Sequence, residues 1–343
     1  MGRQTKMNSI TSPELIAQIN KDNINLKNDF LNYMRATHKS LGTINSYDSD
    51  LNIFFVWVLQ NANNKKFIDI NKRDIIAYQN WLIYDNGNSS ARVRRLKAAI
   101  SSLSNYCENI LADDDPEYKD FRSIVRKIEN PPMQAAREKT VWEEEELDEL
   151  LTKLTDKKQY EKACYLALAM CSGRRKAELC RFKVSDFNDD KLVCGNALYK
   201  SSPIKTKGRG GGKMICCYTL AKKFKPYLDA WINERRELGI DSEWLFPNRS
   251  NPSDHIPIST ANSWAETYTR LSGKESYIHS LRHYFTTSLA RAGIPDGVIQ
   301  SIINWSSADM VRLYKDIDAD EEIGMYFKDG DISVPDKKGL NDL

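Results

Sequence analysis

The chain has 343 residues, 41% hydrophobic and 28% charged, which indicates a folded protein with room for two domains. Its apolar runs, such as residues 53–59, are far shorter than a membrane span, and its first ten residues lack the apolar core of a secretory signal. Seven cysteines without a CxxC pair and only four histidines give no pattern of a metal site or a disulfide framework. We therefore expect a cytoplasmic protein with no metal, no cofactor and no membrane partner.

The net charge of +3 is unevenly distributed along the chain. Residues 315–343 contain nine acidic residues and four lysines, a net charge of −5, which leaves +8 on residues 1–314. A local excess of positive charge matters more for phosphate binding than the total does. Many soluble proteins share such an imbalance, so the charge permits nucleic-acid binding without establishing it.

The first 130 residues show helical periodicity. Residues 40–59 place apolar side chains at three- and four-residue steps, and Asn71 is a suitable cap for the next helix. Ser89 opens a third helix, which carries four cations near its start: Arg92, Arg94, Arg95 and Lys97. Such a helix could lie against a DNA groove, although by itself it favours a solvated basic face on a helical bundle.

Consecutive prolines mark a boundary after these helices. The run Glu129–Pro132 stops helices and stiffens a linker. Beyond it, Thr140 with Glu143 forms a capping-box pattern that opens a helix. Residues 158–180 predict a further apolar helical stretch with a small break at Ser172–Gly173.

The most strand-like part of the chain follows. Two β-rich runs, KLVCGNALYK and MICCYTL, flank SSPIKTKGRGGGK, which contains a glycine-rich turn. This pattern predicts a small antiparallel sheet, after which helical periodicity returns from Leu220 onward.

Residues with the chemistry of a phosphate site recur in the second half of the chain. The string CSGRRKAEL places arginines at a glycine-marked helix start, and IHSLRHYF places His279 and Arg282 three residues apart on one helical face. An arginine fork matches two phosphate oxygens, and a helix start adds positive potential. Trp305 follows Arg282 by 23 residues, and Tyr314 follows Trp305 by nine.

Together these elements resemble the tyrosine recombinase family of the phage-integrase type. That family carries an arginine in a T-G-[LMR]-R-x-x-E-L-like string, a β-hairpin lysine, HxxRH, a His or Trp, and a tyrosine nine residues further on. The resemblance covers the whole chain, because TINSYDSDLNIF and the basic helix after it are similar to the family's core-binding domain.

The fold implied by the resemblance is mainly α, with two domains. One is a helical SAM-like core-binding domain, and the other is a mixed α/β catalytic domain with a small antiparallel β-sheet. We expect an N-terminal extension at 1–24, the core DNA-binding domain at 25–130, a linker at 131–139, and the catalytic domain with its tail at 140–343.

The resemblance also implies roles for individual residues. It identifies as catalytic Arg175, His279, Arg282, Trp305 and Tyr314, with Tyr314 as the nucleophile. Glu178 would support the site by orienting Arg175, and His283 would buttress it. Arg174 occupies a position that is usually hydrophobic, so a register shifted by one residue is the alternative for the first arginine.

The catalytic lysine is expected on the hairpin. Lys205 in IKTKG fits the family position best, and Lys207 is the alternative, because the turn GRGGG is longer than usual. Lys200 and Lys213 fit less well.

The implied chemistry is consistent with these residue types. Two arginines can neutralise the charge that gathers on the non-bridging oxygens of an attacked phosphodiester. A tyrosine phenol has a pKa near 10, so neighbouring cations should favour its phenolate. A lysine can protonate the 5′-oxygen that leaves, while an indole N–H can only donate to a phosphate oxygen. The 3′-phosphotyrosine would conserve the bond energy, so rejoining would need no cofactor.

The partners implied are double-stranded DNA with inverted-repeat core sites, a homo-tetramer on paired sites, and an accessory DNA-bending or excision factor, with the protein at the nucleoid. The acidic tail contains Ile323, Met325, Tyr326 and Phe327. This tail would either dock on a neighbouring protomer or form a disordered end.

Two other functions remain open from the sequence. A type IB topoisomerase uses the same chemistry to relax supercoils, and a non-catalytic DNA-binding protein would only occupy its site. Within recombination, a mobile-element integrase is favoured over dimer resolution and inversion. The residues before Asn25 are too few for a separate arm-binding domain, so simple core sites are expected.

Overall fold

The computed structural model describes residues 10–133, 140–206, 212–307, 309–315 and 317, together with the backbone of residues 327–328 and 331–332. The chain divides into two compact units, the N-terminal one described up to residue 133 and the C-terminal one described from residue 140 onward. No helix in the described part of the chain combines the length and apolar character that crossing a membrane requires.

Helices are the only regular secondary structure in the described residues of the N-terminal unit. Its helices are α1 (Pro13–Ala17), α2 (Lys21–Ala36), α3 (Leu41–Asn61), α4 (Lys72–Asn80), α5 (Ser90–Tyr106) and α6 (Ala112–Asp114). Helix α4 continues as a π-helical turn at Trp81–Asp85, and α5 continues in the same way at Cys107–Leu111. Short 3₁₀ turns lie at Phe67–Asp69 and Pro116–Tyr118.

Polar side chains begin these helices where the sequence predicts. Ser40 accepts a hydrogen bond from the backbone N–H of Thr43 at the start of α3. Asn71 and Asp74 form a reciprocal capping box at α4, and Ser89 caps α5. The predicted helices and their caps are therefore confirmed in this unit.

An aromatic cluster forms the core of the N-terminal unit. The rings of Phe54 and Tyr78 lie 5.1 Å apart in an edge-on arrangement, and Phe54 also packs edge-on against Phe67 at 6.4 Å. All three side chains are almost completely buried. Because full burial of a large apolar side chain contributes roughly 1.5–3 kcal/mol, this cluster is a main source of the unit's stability.

The C-terminal unit combines helices with short antiparallel strands. Its helices are α7 (Glu144–Asp156), α8 (Tyr160–Ser172), α9 (Lys176–Leu179), α10 (Ala221–Glu237), α11 (Ile258–Ser272), α12 (Ile278–Arg291), α13 (Asp296–Ile303) and α14 (Asp309–Tyr314). Its strands are β1 (Leu192–Val193), β2 (Leu198–Lys200), β3 (Ile204–Lys205), β4 (Met214–Ile215), β5 (Tyr218–Leu220), β6 (Pro247–Asn248), β7 (Asn251–His255), β8 (Phe327–Lys328) and β9 (Asp331–Ile332). Two 3₁₀ turns, Val184–Phe187 and Asp189–Lys191, precede β1.

The strands are all antiparallel where they pair. β1, β2 and β5 form a three-stranded sheet in the order β1-β2-β5, and β3 pairs with β4 as a separate hairpin between β2 and β5. The predicted small antiparallel sheet is thus confirmed. Helical periodicity predicted only helices after Leu220, so the paired strands β6 and β7 were missed there. Their sequence, PNRSNPSDH, lacks the alternation of apolar and polar residues that would predict a strand.

Helix α8 lies at the centre of the C-terminal core. Residues 163–172 are all buried, and the helix packs against α10 and α12. A helix that is apolar on every side is typical of such a central position. It ends at Gly173, whose φ of 58° is left-handed, so the chain turns sharply there. Arg174 and Arg175 follow directly after this turn.

Two helix starts differ from the predictions. Helix α7 is capped by Glu143 with Glu146, not by Thr140, whose hydroxyl donates to the carbonyl of Glu275 instead. The prediction was wrong because this carbonyl, 135 residues away, competes for the threonine. Helix α12 begins at Ile278, two residues before the predicted Ser280, so His279 lies within its first turn.

Candidate active site

One end of α12 carries most of the candidate site. His279, Arg282 and His283 project from its first two turns. Tyr314 is the last residue of α14, a helix that packs against α12. Trp305 follows the end of α13, which also packs against α12. The structure thus brings together side chains that are far apart in sequence.

The tyrosine and the first histidine are in direct hydrogen-bond contact. The phenol oxygen of Tyr314 lies 2.6 Å from Nε2 of His279, and the two rings meet edge-on at 5.2 Å. Burial, followed by the positive charges of His283, Arg282 and Arg175, lowers the pKa of His279 to about 4. A neutral imidazole can accept a proton through Nε2, so this pair has the geometry of a nucleophile with its base.

Aromatic rings hold Tyr314 in place. His283 stacks on it with centroids 4.4 Å apart, and Trp305 lies against it at 4.8 Å. Tyr314 is only 9% exposed, so the side chains packed around it hold its ring in a fixed position. His283 therefore contacts the ring face of Tyr314, as a buttressing residue would.

Arg282 is a buried cation, and part of its guanidinium has no hydrogen-bond partner among the described residues. It is 1% exposed, and its Nη1 donates to the carbonyl of Gly173 at 2.8 Å. Its guanidinium carbon lies 4.8 Å from the ring of Trp305 and 5.8 Å from that of Tyr314. Burial, then the charges of Arg175 and Arg174, lowers the pKa of Arg282 to about 9, so it stays positively charged at neutral pH.

Three buried nitrogen atoms at this point have no hydrogen-bond partner among the described residues: Nε and Nη2 of Arg282 and Nε1 of Trp305. Leaving a buried donor unsatisfied costs about 1–3 kcal/mol, so such groups in a native protein call for an explanation. All three belong to side chains that touch Tyr314. A tetrahedral anion with several oxygens is a ligand that would satisfy them together.

Arg175 lies at the rim of this cluster. It is the N-cap of α9, and its side chain is 43% exposed. Glu178, which is buried, accepts one hydrogen bond from the Arg175 backbone N–H and one from its Nη1, both at 3.1 Å. The positive charge of Arg175 contributes to the lowered pKa of both His279 and Arg282.

The neighbouring Arg174 points in a different direction. It is 1% exposed and donates to the carbonyls of Ile302 and Ile303 at the end of α13. Both terminal nitrogens of Arg174 are therefore bound to the main chain, and its buried Nε has no partner among the described residues, whereas the side chain of Arg175 is partly exposed. This difference favours Arg175 over the shifted register for the first arginine.

Lys205, the candidate lysine, makes none of the contacts described above. Lys205 lies on β3, exposed, opposite Met214 of β4, and its carbonyl accepts from Nη1 of Arg181 at 2.6 Å. No hydrogen bond or ion pair joins its ammonium to a side chain in the described ranges. The alternative Lys207 lies outside the described residues, as do Ile323, Met325 and Tyr326 of the tail; of Phe327 only the backbone is described.

The four cations of α5 do not form a free basic face. Lys97 is 2% exposed, and its ammonium donates to Gln79 at 2.6 Å and to the carbonyls of Ile128 and Glu129 at 3.3 and 2.9 Å. Lys97 was predicted to contact DNA, but because its ammonium is buried and fully engaged, we expect it to stabilise the unit and not to contact a phosphate.

The other three are engaged within the unit but remain partly accessible. Arg94 donates to the carbonyl of Pro131 at 2.8 Å, while Arg92 and Arg95 pair with the buried Asp50 at 2.8 and 3.1 Å. The side chain of Arg95 is still 56% exposed. Asp50 is thus the residue that orients this part of α5, a role that the sequence analysis did not anticipate.

Two supporting residues were also missed in the sequence. Gly173 supplies the carbonyl for Arg282, and a Cβ built on it would overlap the ring of Phe285 on α12. Asn304, the left-handed cap of α13 with a φ of 59°, donates to the carbonyl of Cys216 at 3.1 Å. The glycine before the arginines was the one available signal; nothing in the sequence links Asn304 to Cys216.

Comparison with known proteins identifies the family of the chain. Residues 140–321 match the model of the phage integrase family, and residues 26–114 match that of the phage integrase N-terminal SAM-like domain. The chain therefore belongs to the phage integrase family, and it is a tyrosine-type recombinase, an enzyme of DNA strand breakage and rejoining.

Individual relatives and structures support the same assignment. The chain is 31% identical over 266 residues to the SPbeta prophage-derived recombinase-like protein YomM of Bacillus subtilis (strain 168), covering 78% of this chain and 76% of that protein. It is 23% identical over 295 residues to the tyrosine recombinase XerA of Pyrococcus horikoshii, covering 85% and 89% of the two chains.

Solved structures share the fold. A lambda integrase tetramer bound to a Holliday junction matches with a TM-score of 0.61 at 14% identity, over 85% of this chain and 76% of that one. The XerH recombinase bound to its difH substrate in a pre-cleavage complex matches with a TM-score of 0.60 at 19% identity, over 87% and 81%. The predicted class, mainly α with a SAM-like domain and a mixed α/β domain, is confirmed.

Proposed function

We propose that this recombinase cleaves one DNA strand by attack of the Tyr314 phenol oxygen on a phosphodiester. The observation that carries the proposal is the 2.6 Å contact between Tyr314 and Nε2 of His279, beside a buried Arg282 with two N–H groups unpaired among the described residues. A nucleophile, its base and unpaired N–H donors for a phosphate thus lie within one cluster.

The first step forms a bond from Tyr314 to phosphorus while His279 accepts the phenol proton. The bond to the 5′-oxygen breaks, leaving a 3′-phosphotyrosine and a free 5′-hydroxyl. Arg282 and Trp305 have inward-facing donors for the non-bridging oxygens, and Arg175 adds a second guanidinium held by Glu178. Attack by a 5′-hydroxyl on the phosphotyrosine reverses these bonds, so rejoining consumes no external energy source.

The leaving 5′-oxygen needs a proton, and we assign this role to Lys205. Its strand β3 belongs to a two-stranded hairpin that stands apart from the three-stranded sheet, and the exposed ammonium carries no ion pair to a described residue. Such a lysine is available to a DNA strand lying over the site. Lys207 is the alternative donor.

For the biological role, we propose a mobile-element integrase. The prophage-derived relative, 31% identical over most of both chains, supports this role over dimer resolution or inversion. A transposon integrase in complex with circular-intermediate DNA also shares the fold, with a TM-score of 0.57. The similarity to Xer recombinases keeps resolution as the second candidate.

We propose core sites made of two inverted half-sites, occupied by a tetramer, with the N-terminal unit binding core DNA and the unit from residue 140 onward carrying catalysis. Structural neighbours support this arrangement, since XerH was solved on a palindromic substrate and lambda integrase as a tetramer on a junction. Arg92, Arg94 and Arg95 remain the proposed contacts of α5 to DNA, and an accessory factor would set the direction of exchange.

The decisive experiment is covalent trapping. Purified protein is incubated with a library of randomised suicide duplexes, in which a nick lets the fragment with the 5′-hydroxyl diffuse away after cleavage. Denatured adducts are recovered, their DNA is sequenced, and the modified residue is mapped by mass spectrometry. We expect a single 3′-phosphate link at Tyr314 and none in Tyr314→Phe. An adduct at another residue, or no adduct with DNA that the protein binds, would contradict the proposal.

The same selected site separates recombination from topoisomerase action. Two copies on one supercoiled plasmid should yield products with exchanged flanks. Relaxation without exchange would instead identify a type IB-like enzyme.

A further inference from the structure

The turn Gly173–Arg175 between α8 and α9 contacts three parts of the site. The carbonyl of Gly173 holds Arg282, and the side chain of Arg175 lies at the rim. The middle residue, Arg174, is buried and points the other way, to α13. No step of the proposed reaction uses it.

Arg174 binds the carboxyl end of α13. Its Nη1 donates to the carbonyl of Ile303 at 3.2 Å, and its Nη2 donates to that of Ile302. The last carbonyls of a helix lack intrahelical partners and carry partial negative charge. No ion pair joins Arg174 to a carboxylate in the described part of the chain, so these carbonyls are what keeps the buried guanidinium in place.

Trp305 lies two residues beyond this point. Its backbone N–H closes the end of α13 by donating to the carbonyl of Gln300 at 3.0 Å, and its ring then packs against Tyr314 and Arg282. The indole Nε1 is buried and has no partner among the described residues. A shift of the α13 end would therefore move this donor relative to Tyr314.

We propose that Arg174 is a positioning residue that sets the place of the Trp305 indole by clamping the end of α13. This proposal rests on the proposed function, because it assumes that Trp305 donates to the scissile phosphate. It adds a residue that touches neither phosphate nor nucleophile and acts mainly through Trp305, while its charge also lowers the pKa of Arg282. A hydrophobic residue at position 174 could fill the same space but could not bind two carbonyls.

The test uses the full chain and the duplex most strongly trapped by the wild type. Arg174→Met should lower the adduct-formation rate at saturating DNA by about ten- to a hundredfold, because small misplacements of an active-site group have effects of that size. Duplex affinity should stay within about twofold, since Arg174 does not face DNA. Arg174→Lys, which keeps one donor, should recover part of the rate.

The matched control is Arg235→Met. Arg235 is also buried, with only 5% of its surface exposed. It donates to three main-chain carbonyls outside the site, those of Ser242, Trp244 and Leu245. We expect Arg235→Met to lower the melting temperature while leaving the adduct rate of the folded protein near that of the wild type. An equal loss of rate in both variants would show a merely structural effect.

Coupling to Trp305 decides the proposal. In a Trp305→Phe background, where the indole donor is gone, Arg174→Met should cost less than about twofold in rate, because the two changes act through one group. Losses that multiply would overturn the proposal, as would a wild-type rate in Arg174→Met. If Arg174→Met does not fold, Arg174→Lys is compared in both backgrounds by the same criterion. Absence of any adduct in the wild type would instead refute the proposed function itself.

Discussion

The carbonyl oxygen of Gly173 accepts a 2.8 Å hydrogen bond from Nη1 of Arg282, across 109 residues of sequence. One nitrogen of the buried guanidinium is therefore held by the main chain, which fixes the direction of Nε and Nη2. Gly173 can serve in this way because its left-handed φ of 58° turns the chain directly beside α12.

Gly173→Ala should impair catalysis more than stability. A left-handed alanine costs about 1–2 kcal/mol, and its Cβ would also overlap the ring of Phe285, so the turn must move away from Arg282. We expect adduct formation to fall at least about tenfold, measured at saturating DNA.

Gly239→Ala is the control for the backbone strain alone. Gly239 has a comparable φ of 63°, and no described atom lies within 4 Å of a Cβ built there. Its variant should lose stability similarly but cleave normally. Normal cleavage by Gly173→Ala as well would show that Arg282 does not depend on this turn.

The lowered pKa of His279 predicts an unusual pH profile. A free imidazole titrates near 6.5, whereas His279 should remain neutral down to about pH 4. Protonation favours the unfolded chain between these values, so His279 contributes stability that is present above about pH 6.5 and is lost as the pH falls through about 4.

The second-order rate constant for adduct formation reports on the free enzyme. Because the pKa of His279 is about 4, this rate constant should not fall through protonation of His279 between pH 8 and pH 5.5. His279→Gln should lower this constant by about a hundredfold or more, the usual contribution of a general base. A limb with a midpoint near 6.5 that disappears in His279→Gln would contradict the assignment.

Lys205 can be tested by changing the leaving group. Lys205→Met should cleave an ordinary duplex about a hundredfold or more slowly, because the 5′-oxygen then leaves without a proton. A duplex with sulfur in place of the 5′-bridging oxygen needs no such proton, since a thiol is far more acidic than an alcohol, and it should restore the rate.

Lys213→Met is the matched control, because Lys213 is exposed on the same hairpin connection and bonds Thr206 only through its main chain. It should cleave both duplexes normally. Rescue by sulfur in Lys207→Met, but not in Lys205→Met, would transfer the role of general acid to Lys207.

Lys97 should affect folding and not DNA binding. Lys97→Met leaves Gln79 and two carbonyls without their buried donor, which should cost about 1–3 kcal/mol in the free energy of unfolding. The slope of DNA affinity against salt should not change, because no phosphate contact is lost.

Arg95→Gln is the comparison on the same helix. Arg95 is 56% exposed, and if it contacts a phosphate, its loss should reduce the salt slope by about one. A reduced slope in Lys97→Met, or an unchanged slope in Arg95→Gln, would reverse these assignments.

Much of the architecture followed from local patterns. Ser40, Asn71 and Ser89 begin their helices because a side-chain oxygen satisfies a free N–H within three residues, an interaction that depends on the neighbouring residues alone. The spacing of His279, Arg282, Trp305 and Tyr314 predicted the chemistry through its resemblance to the tyrosine recombinase family. His279 and Arg282 keep their relation in the fold because both lie on one turn of α12, where helix geometry maps sequence spacing onto space.

The direction of individual cations was decided by tertiary structure. Arg174 and Arg175 are adjacent and chemically identical, yet one clamps carbonyls 128 and 129 residues away while the other faces outward. Lys97 is buried although its neighbour Arg95 is exposed. Which side of a turn or helix is covered depends on what packs against it from distant parts of the chain. Spacing therefore predicted which residues would carry the chemistry, whereas packing determined which guanidinium and ammonium groups remain exposed.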